Sequence, residues 1–215
     1  MSAAPSRDGA PAGASESLEL GAPITDRAWF DRPSPAVARD LVGMWLVHDA
    51  AGGRVAGRIV ETEAYQGPED LAAHSARGRT ERNAVMFGPA GHAYVYFVYG
   101  LHHCLNVVCG PGAKPEAVLL RAAAITEGQA LARQRRGTAV PPVRLAAGPG
   151  NLTAAFGVDR AINGSDLISG PLWLATGSVP AIVIARPRVG VDYAGTWARR
   201  RLRFLAADDP HVSRR

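Results

Sequence analysis

The stretch RIVETEAY, from Arg58 to Tyr65, constrains the fold of this chain more than any other part of its sequence. Its β-branched and aromatic residues favour an extended strand, in which successive side chains point to opposite faces of a sheet. Ile59, Glu61, Glu63 and Tyr65 therefore share one face of the predicted strand. A half-buried strand normally has one apolar face. Two carboxylates on this face indicate either that polar groups are held inside the protein or that the strand lies at a rim.

Length and composition predict one globular domain. The chain has 215 residues, of which 47% are hydrophobic and 20% charged, which suits a single sizeable core. No apolar run approaches the roughly 20 residues of a membrane span. The start of the chain is rich in Ala, Gly, Pro and Ser and lacks the pattern of a signal peptide. We therefore expect residues 1–20 to be a disordered tail and residues 21–215 to be one domain.

The two cysteines predict a reducing, cytoplasmic location. Cys104 and Cys109 are five residues apart, which on one strand puts them on opposite faces and beyond the reach of a disulfide. Neither belongs to a CxxC pair or to a His-rich pattern, so the sequence predicts no zinc site.

The charge balance suits a polyanionic partner. The net charge is +5 and the sequence pI about 9.8. Of the 24 basic residues only Lys114 is a lysine, so a mechanism based on a lysine Schiff base is disfavoured. Compositional bias would also explain the excess of arginine, although arginine binds phosphates and stacks on bases better than lysine does.

Other parts of the chain read as short helices and strands. We predict helices at 35–42, with Ser34 as N-cap, at 126–137, with a capping box of Thr126 and Gln129, and at 148–156. Strands are predicted at 44–49, 57–65, 94–98, 104–108 and 117–125, and in the segments PLWLA, AIVIARPRVGV and RLRFLAA. The strands at 94–98 and 104–108 form a hairpin with Tyr99 at its tip.

Several side chains in these elements have types that suit nucleic-acid chemistry. The predicted hairpin would expose Tyr99 at its tip, which makes it a candidate wedge between base steps. Asn106 and Arg121 interrupt apolar strands and need polar partners if they are buried. The glycine-rich opening of the third helix, with Gly148 and Gly150, exposes backbone N–H groups that could hold a phosphate, although many helices begin this way.

The long connection from residue 66 to residue 91 contains His74 and three arginines, and a connection of this length is usually functional or disordered. On charge alone, a solvated surface loop is the favoured explanation of this cluster. Glu61 and Glu63 lie about 6.6 Å apart along the strand, near the lower edge of the separation in inverting glycosidases. Together with the tyrosines, Asn106 and Arg121, they supply the groups needed to flip a nucleobase, hold it and hydrolyse its N-glycosidic bond.

At these residues the sequence resembles the alkyladenine (3-methyladenine, or methylpurine) DNA glycosylase family. The resemblance runs from about Ala28 to the end of the sequence. The motifs that carry it are RIVETEAY, GPEDLAAHS, ERNAVMFGPAGHAYVYFVYG, CLNVV, VLLRA, AAGPGNL, and RVGV with GTWARRRLRF. Several long motifs in the same order make it specific.

The resemblance implies an α+β fold: a single mixed domain with a curved, mainly antiparallel sheet, short flanking helices and a protruding hairpin. It implies a monomeric, monofunctional enzyme without metal or cofactor, acting on double-stranded DNA that contains damaged purines. The implied roles are as follows: Glu63 as the general base, Arg121 positioning the water, Tyr65, His74 and Tyr96 stacking on the flipped base, Asn106 excluding guanine, and Tyr99 as the wedge. Where many members have a basic residue after the GPG motif this chain has Asn151, so the phosphate contact is left to backbone groups near Gly148 and Gly150.

Two other classes of function fit parts of the sequence. A nucleic-acid-binding module without catalysis would account for the charge and the aromatic residues, but it needs no carboxylate facing its ligand. A glycoside or nucleoside hydrolase would account for the carboxylates, but it has no evident use for the arginines or for Tyr99.

Overall fold

The computed structural model describes residues 20–98 and 100–214. In this part of the chain the α-helices are α1 (Ser34–Leu41), α2 (Gln129–Arg136) and α3 (Pro149–Phe156). The strands are β1 (Trp45–Ala50), β2 (Gly53–Tyr65), β3 (Ala93–Val98), β4 (His102–Cys109), β5 (Glu116–Glu127), β6 (Leu172–Ala175), β7 (Val183–Arg186) and β8 (Arg203–Ala206). Short 3₁₀ helices cover Arg27–Trp29, His74–Arg77, Ala84–Phe87, Pro111–Ala113, Pro142–Arg144, Arg160–Ile162 and Asp192–Arg199.

One antiparallel sheet joins all of these strands. The order along its main path is β3-β4-β5-β2-β1-β6, and β8 adds to β2 and carries β7. β2 pairs with β5 along one edge, whereas β1 and β8 share its other edge. Register shifts between β2 and β5 at Ala56, Ile59 and Glu61 are sites where a strand bends and twists more strongly. The predicted α+β class with a curved, mainly antiparallel sheet is confirmed.

The helices pack on one face of the sheet and bury the main hydrophobic core. α1 packs on β2 and β5, and α3 packs on β4, β5 and α2. Leu41 of α1, Leu120 of β5 and Leu152 of α3 are fully buried there. The opposite face of β2 to β5 is therefore free to carry polar and aromatic side chains.

Three local predictions need correction. Ile59 joins Val60 in the main core instead of sharing a surface with the glutamates, because the register shift between Ile59 and Glu61 interrupts the alternation of the strand. Ser34 is not an N-cap: Pro33 occupies that position without a side-chain cap, and the Ser34 hydroxyl donates to the Tyr65 carbonyl.

The predicted capping box of Thr126 and Gln129 is also absent. β5 continues through Thr126 to Glu127, and α2 begins at Gln129 after Gly128, whose φ of 72° forms the turn. The Gln129 side chain donates to the Ile125 carbonyl instead of capping the helix.

The hairpin β3–β4 forms as predicted, with His102 and His103 belonging to β4 rather than to the link. Leu101 beside its tip is 75% exposed. Tyr99 lies outside the described residues. Cys104 and Cys109 lie on β4, and both are free and buried. No helix in the described part of the chain is long and apolar enough to cross a membrane.

Candidate active site

The sheet face opposite the helices forms the floor of a cavity of about 500 Å³. Alternate residues of three strands line it, because every second side chain of a strand points to the same face. These residues are Tyr94, Tyr96 and Val98 of β3, His102, Cys104 and Asn106 of β4, and Ala117, Leu119 and Arg121 of β5. Segments outside the sheet complete the walls: Ala72 and His74, Arg82 and Met86, 148–151, 189–191 and Tyr193.

The cavity brings together most of the site residues expected from the sequence. Tyr65, His74, Tyr96, Asn106, Arg121, Gly148 and Gly150 all line it. Glu63 does not: it is fully buried and lies behind Tyr65 and Arg121, both of which contact it.

Glu63 is held from three directions. Its Oε2 accepts a hydrogen bond of 2.9 Å from the Tyr65 hydroxyl, and its Oε1 accepts one of 2.7 Å from the Val189 N–H. The Arg121 Nη1 lies 3.3 Å from the same Oε1. Burial raises the pKa of Glu63 above its ordinary value, although Arg121 and both hydrogen bonds act in the opposite direction. A carboxylate with a raised pKa and fixed orientation has the properties of a general base.

Glu61 has a different environment from Glu63. Its Oε1 accepts from the Arg121 Nε and from the Arg203 Nη1, both at 2.9 Å. Its Oε2 accepts from the Ser213 N–H at 2.7 Å. Burial alone would raise the pKa of Glu61, but Arg121 and the Ser213 hydrogen bond outweigh it and lower the pKa below its ordinary value. Glu61 is therefore an ionised structural partner of the two arginines.

Tyr65 is supported by an ion pair that the sequence pattern did not indicate. The Arg188 guanidinium lies 4.7 Å from the centre of the Tyr65 ring. Both guanidinium Nη atoms of Arg188 donate to the carboxylate of Asp70, and the two side chains are completely buried. The next residue, Val189, donates to Glu63, so this pair fixes both the ring and the backbone that contact the proposed base.

An aromatic wall stands beside these carboxylates. The His74 ring lies 4.5 Å from the Tyr96 ring, and the Tyr94 and Tyr96 rings lie 5.3 Å apart. A hydrogen bond of 2.9 Å joins the His74 Nδ1 to the Tyr94 hydroxyl. Burial, with Arg82 and Arg77, lowers the pKa of His74, so its imidazole is neutral at neutral pH. Burial raises the pKa of Tyr94 to about 12 and that of Tyr96 well above the ordinary value.

Several polar groups around the cavity already donate hydrogen bonds to backbone carbonyls. The Asn106 Nδ2 donates to the Tyr94 carbonyl at 3.1 Å. The Gly148 N–H donates to the Arg121 carbonyl at 2.9 Å, which corrects the expectation that this N–H is available to a phosphate. The Asn151 side chain donates to the Ala147 carbonyl at 2.7 Å. Gly150 lies in the first turn of α3, where N–H groups have no acceptor within the helix.

Among the described residues, no group of three or more His, Cys, Asp or Glu side chains lies close enough to hold a metal ion. The site has a buried carboxylate and a guanidinium beneath a cavity whose walls combine neutral aromatic rings with the Arg82 side chain.

Sequence reasoning missed the partners that come from distant segments. Arg188, Arg203 and Ser213 lie more than 120 residues from the glutamates and Tyr65 in sequence, and no local pattern links them. One signal was available: RPRVGV and RLRF place arginines inside segments predicted as strands, and a buried arginine needs a carboxylate partner.

Comparison with known proteins shows the family of the chain. A family model described as "Methylpurine-DNA glycosylase (MPG)" matches residues 28–210. A Methanocella arvoryzae protein named "Putative 3-methyladenine DNA glycosylase" is 47% identical over 194 residues, covering 90% of this chain and 97% of that protein. Proteins of the same name from Streptomyces avermitilis and Myxococcus xanthus are 48% and 47% identical, covering 89% and 87% of this chain and 91% and 92% of their own lengths. The chain belongs to the methylpurine-DNA glycosylase family.

Proposed function

We propose that this chain is a monofunctional DNA glycosylase that removes damaged purines from duplex DNA. The substrates we expect are alkylated purines such as 3-methyladenine, together with hypoxanthine and ethenoadenine. The observation that carries the proposal is the position of Glu63 and Arg121 at the base of an aromatic-walled cavity. The cavity volume of about 500 Å³ falls within the range of small-molecule sites, so it can accept a purine.

A purine inside a duplex cannot reach a buried carboxylate, so the damaged nucleotide has to rotate out of the stack. The rings of Tyr65, His74 and Tyr96 offer faces and edges on which the flipped base stacks. Tyr99 would fill the space that the base leaves. Damaged pairs are easier to open than intact ones, which gives part of the selectivity.

Hydrolysis at C1′ passes through an oxocarbenium-like state. Glu63 takes a proton from the attacking water and stabilises the positive charge that develops on the sugar. Arg121 lines the cavity and lies beside Glu63, so it helps to orient the water that Glu63 activates. Because Glu63 is fully covered, the water reaches it through a small shift of Tyr65 or of the backbone at Val189.

The leaving group decides how much further help the reaction needs. An alkylated purine is already cationic and departs readily once the water attacks. A neutral lesion such as hypoxanthine needs a hydrogen bond or a proton on the purine, which we assign to backbone groups of the cavity. Asn106 stands on the floor and would oppose the 2-amino group of guanine.

The decisive experiment uses duplex DNA with a single ethenoadenine, hypoxanthine or 3-methyladenine. The wild-type protein should produce an abasic site, and the strand should break only after alkali. Glu63→Gln should abolish base release and retain binding to the lesion duplex. Glu69→Gln is the matched control, because Glu69 is exposed and pairs only with Lys114 among the described residues; it should behave as wild type.

Full activity of Glu63→Gln would refute the assignment of the base. Lesion binding by the wild-type protein without base release from any duplex would refute the enzyme and favour a binding module.

A further inference from the structure

Glu61 is the centre of a buried charge cluster that includes the proposed base. The cluster has two carboxylates, Glu61 and Glu63, and two guanidinium groups, Arg121 and Arg203, and none of the four side chains is more than 8% exposed. Buried charges are tolerated only when each has a partner. The four charges balance, and Glu61 bonds to both arginines.

The contacts of Glu61 fix the direction in which Arg121 points. The Arg121 Nε donates to Glu61 at 2.9 Å, whereas its Nη1 remains 3.3 Å from Glu63. With Nε bonded to Glu61 and Nη2 directed at the Ser213 Oγ, only Nη1 of the planar guanidinium faces Glu63, so the two side chains do not form a two-bonded pair. Glu61 thereby keeps Arg121 beside the base without neutralising it.

Glu61 is in turn held by a segment at the far end of the described chain. Val212 is 5% exposed and packs in the main core. The following residue donates its backbone N–H to the Glu61 Oε2 at 2.7 Å, and the Ser213 Oγ lies 3.4 Å from the Arg121 Nη2. The Arg214 carbonyl accepts from the Arg203 Nη1 at 2.6 Å. The segment 212–214 therefore closes the cluster on the side away from the cavity.

We propose that Glu61 is a positioning residue for base excision and that the backbone of Ser213 is part of the device that holds it. This inference rests on the proposed glycosylase function. Loss of Glu61 leaves Arg121 with Glu63 as its nearest carboxylate. Arg121 then pairs fully with Glu63, so the base becomes weaker and the water loses its orientation.

The test compares Glu61→Gln and Ser213→Pro in single-turnover release of ethenoadenine from a duplex. Gln keeps the shape of Glu61 without its charge, and Pro removes the N–H that donates to Glu61. Misplacement of a positioning group by about 1 Å can lower a rate by about 100-fold, so we expect Glu61→Gln to lower the rate at least roughly tenfold. Ser213→Pro should lower it by a smaller factor.

A double-mutant cycle separates this role from general destabilisation. If Ser213 acts through Glu61, Ser213→Pro should have little further effect in the Glu61→Gln background. His211→Ala is the control, because the His211 side chain bonds to Asp209 and not to Glu61. It should retain the wild-type rate.

The pH profile is the readout that a merely structural role would not move. In the described part of the chain, the titratable groups near Glu63 are Tyr65 and Glu61 on its own strand, Tyr96 on β3, Cys104 on β4 and Arg121 on β5, and the Val189 N–H donates to it. Glu61→Gln removes a like charge and releases a cation toward Glu63, and both changes lower the pKa of the base. The acidic limb of the rate profile should therefore move to lower pH.

Folded Glu61→Gln and Ser213→Pro proteins with wild-type rates and an unmoved acidic limb would overturn the inference. Circular dichroism shows whether each variant folds. If one variant does not fold, the other is sufficient to test the inference. A folded wild-type protein that releases no base from any lesion would instead refute the proposed function. In that case an NMR titration of the ¹³C-labelled Glu63 carboxyl tests whether Glu61 affects the pKa of Glu63. The same pKa in the wild type and in Glu61→Gln would refute the inferred coupling between the two carboxylates.

Discussion

Removing the charge of Asp70 should destabilise the protein more than removing the charge of an exposed aspartate. Asp70 and Arg188 are both completely buried. Arg188 also donates to the Ala64 carbonyl at 2.9 Å, and Asp70 accepts from the backbone N–H groups of Gln66 and Ala72. The Asp70→Asn variant keeps the shape of the side chain but leaves a guanidinium in the interior without its counter-charge.

The magnitude follows from this burial. Breaking a buried pair by removing one partner costs about 3–5 kcal/mol. For a domain of about 150–250 residues each kcal/mol lowers Tm by about 2–4 °C, so the expected loss is about 6–20 °C. Asp40→Asn is the matched control, because Asp40 pairs with Arg32 at the surface with side chains 47% and 34% exposed. An exposed pair contributes about 0–1 kcal/mol.

The assay is thermal and urea unfolding of the wild type and both variants at neutral pH. A second variant tests the cause: in Asp70→Asn with Arg188→Met the unpaired charge is gone, so part of the lost stability should return. Asp70→Asn should also slow base release, since Arg188 supports Tyr65 and precedes Val189. The reasoning is refuted if Asp70→Asn unfolds no more easily than Asp40→Asn.

Three further substitutions test individual contacts of the cavity. Tyr65→Phe removes the hydroxyl that donates to Glu63, which raises the pKa of the base; the acidic limb of excision should move to higher pH, and an unmoved or lowered limb contradicts the assigned hydrogen bond. Asn106→Ala should increase release of normal guanine from undamaged duplex, measured as free guanine by chromatography, and no increase would remove its role as a filter. Gly148→Ala, at φ 110° and ψ 147°, should cost about 1–3 kcal/mol in urea unfolding. A Gly148→Ala protein as stable as the wild type would contradict the backbone argument.

The alternation of residues along the strands made much of this site predictable. Tyr94 and Tyr96 share one face of the predicted strand β3, Asn106 and Arg121 interrupt the apolar strands β4 and β5, and all four line one cavity. Period-two alternation is a local property, so it can be recognised in the sequence without knowing which strands pair. The cost of burying an unpaired charge predicts that an arginine inside an apolar strand has a polar partner, and Arg121 is bonded to Glu61.

Features that depend on neighbouring strands were not predictable in this way. The register shift beside Glu61 arises from the pairing of β2 with β5, and it moves Ile59 into the core. The contacts of Ser213, Arg203 and Arg188 join residues that are distant in sequence. The entropy cost of closing a long loop changes slowly with its length, so it does not indicate which distant residues will meet. At Thr126 strand pairing overrides the capping pattern. Pairing of β5 with β2 stabilises the extended conformation more than one cap would stabilise a short helix.

The electrostatics of the cavity wall explain how one site can favour cationic lesions. The lowered pKa of His74 and the raised pKa values of Tyr94, Tyr96 and Tyr65, which follow mainly from burial, leave all four side chains neutral at neutral pH. A cationic purine would therefore meet aromatic faces with which its charge interacts favourably, although the Arg82 guanidinium adds a positive charge to the same wall. Arg121 lies on the floor with Glu63 behind it, and this is where we propose that the water is activated. Because burial keeps the His74 imidazole neutral at neutral pH, its protonation at acid pH should weaken capture of an alkylated purine more than capture of hypoxanthine.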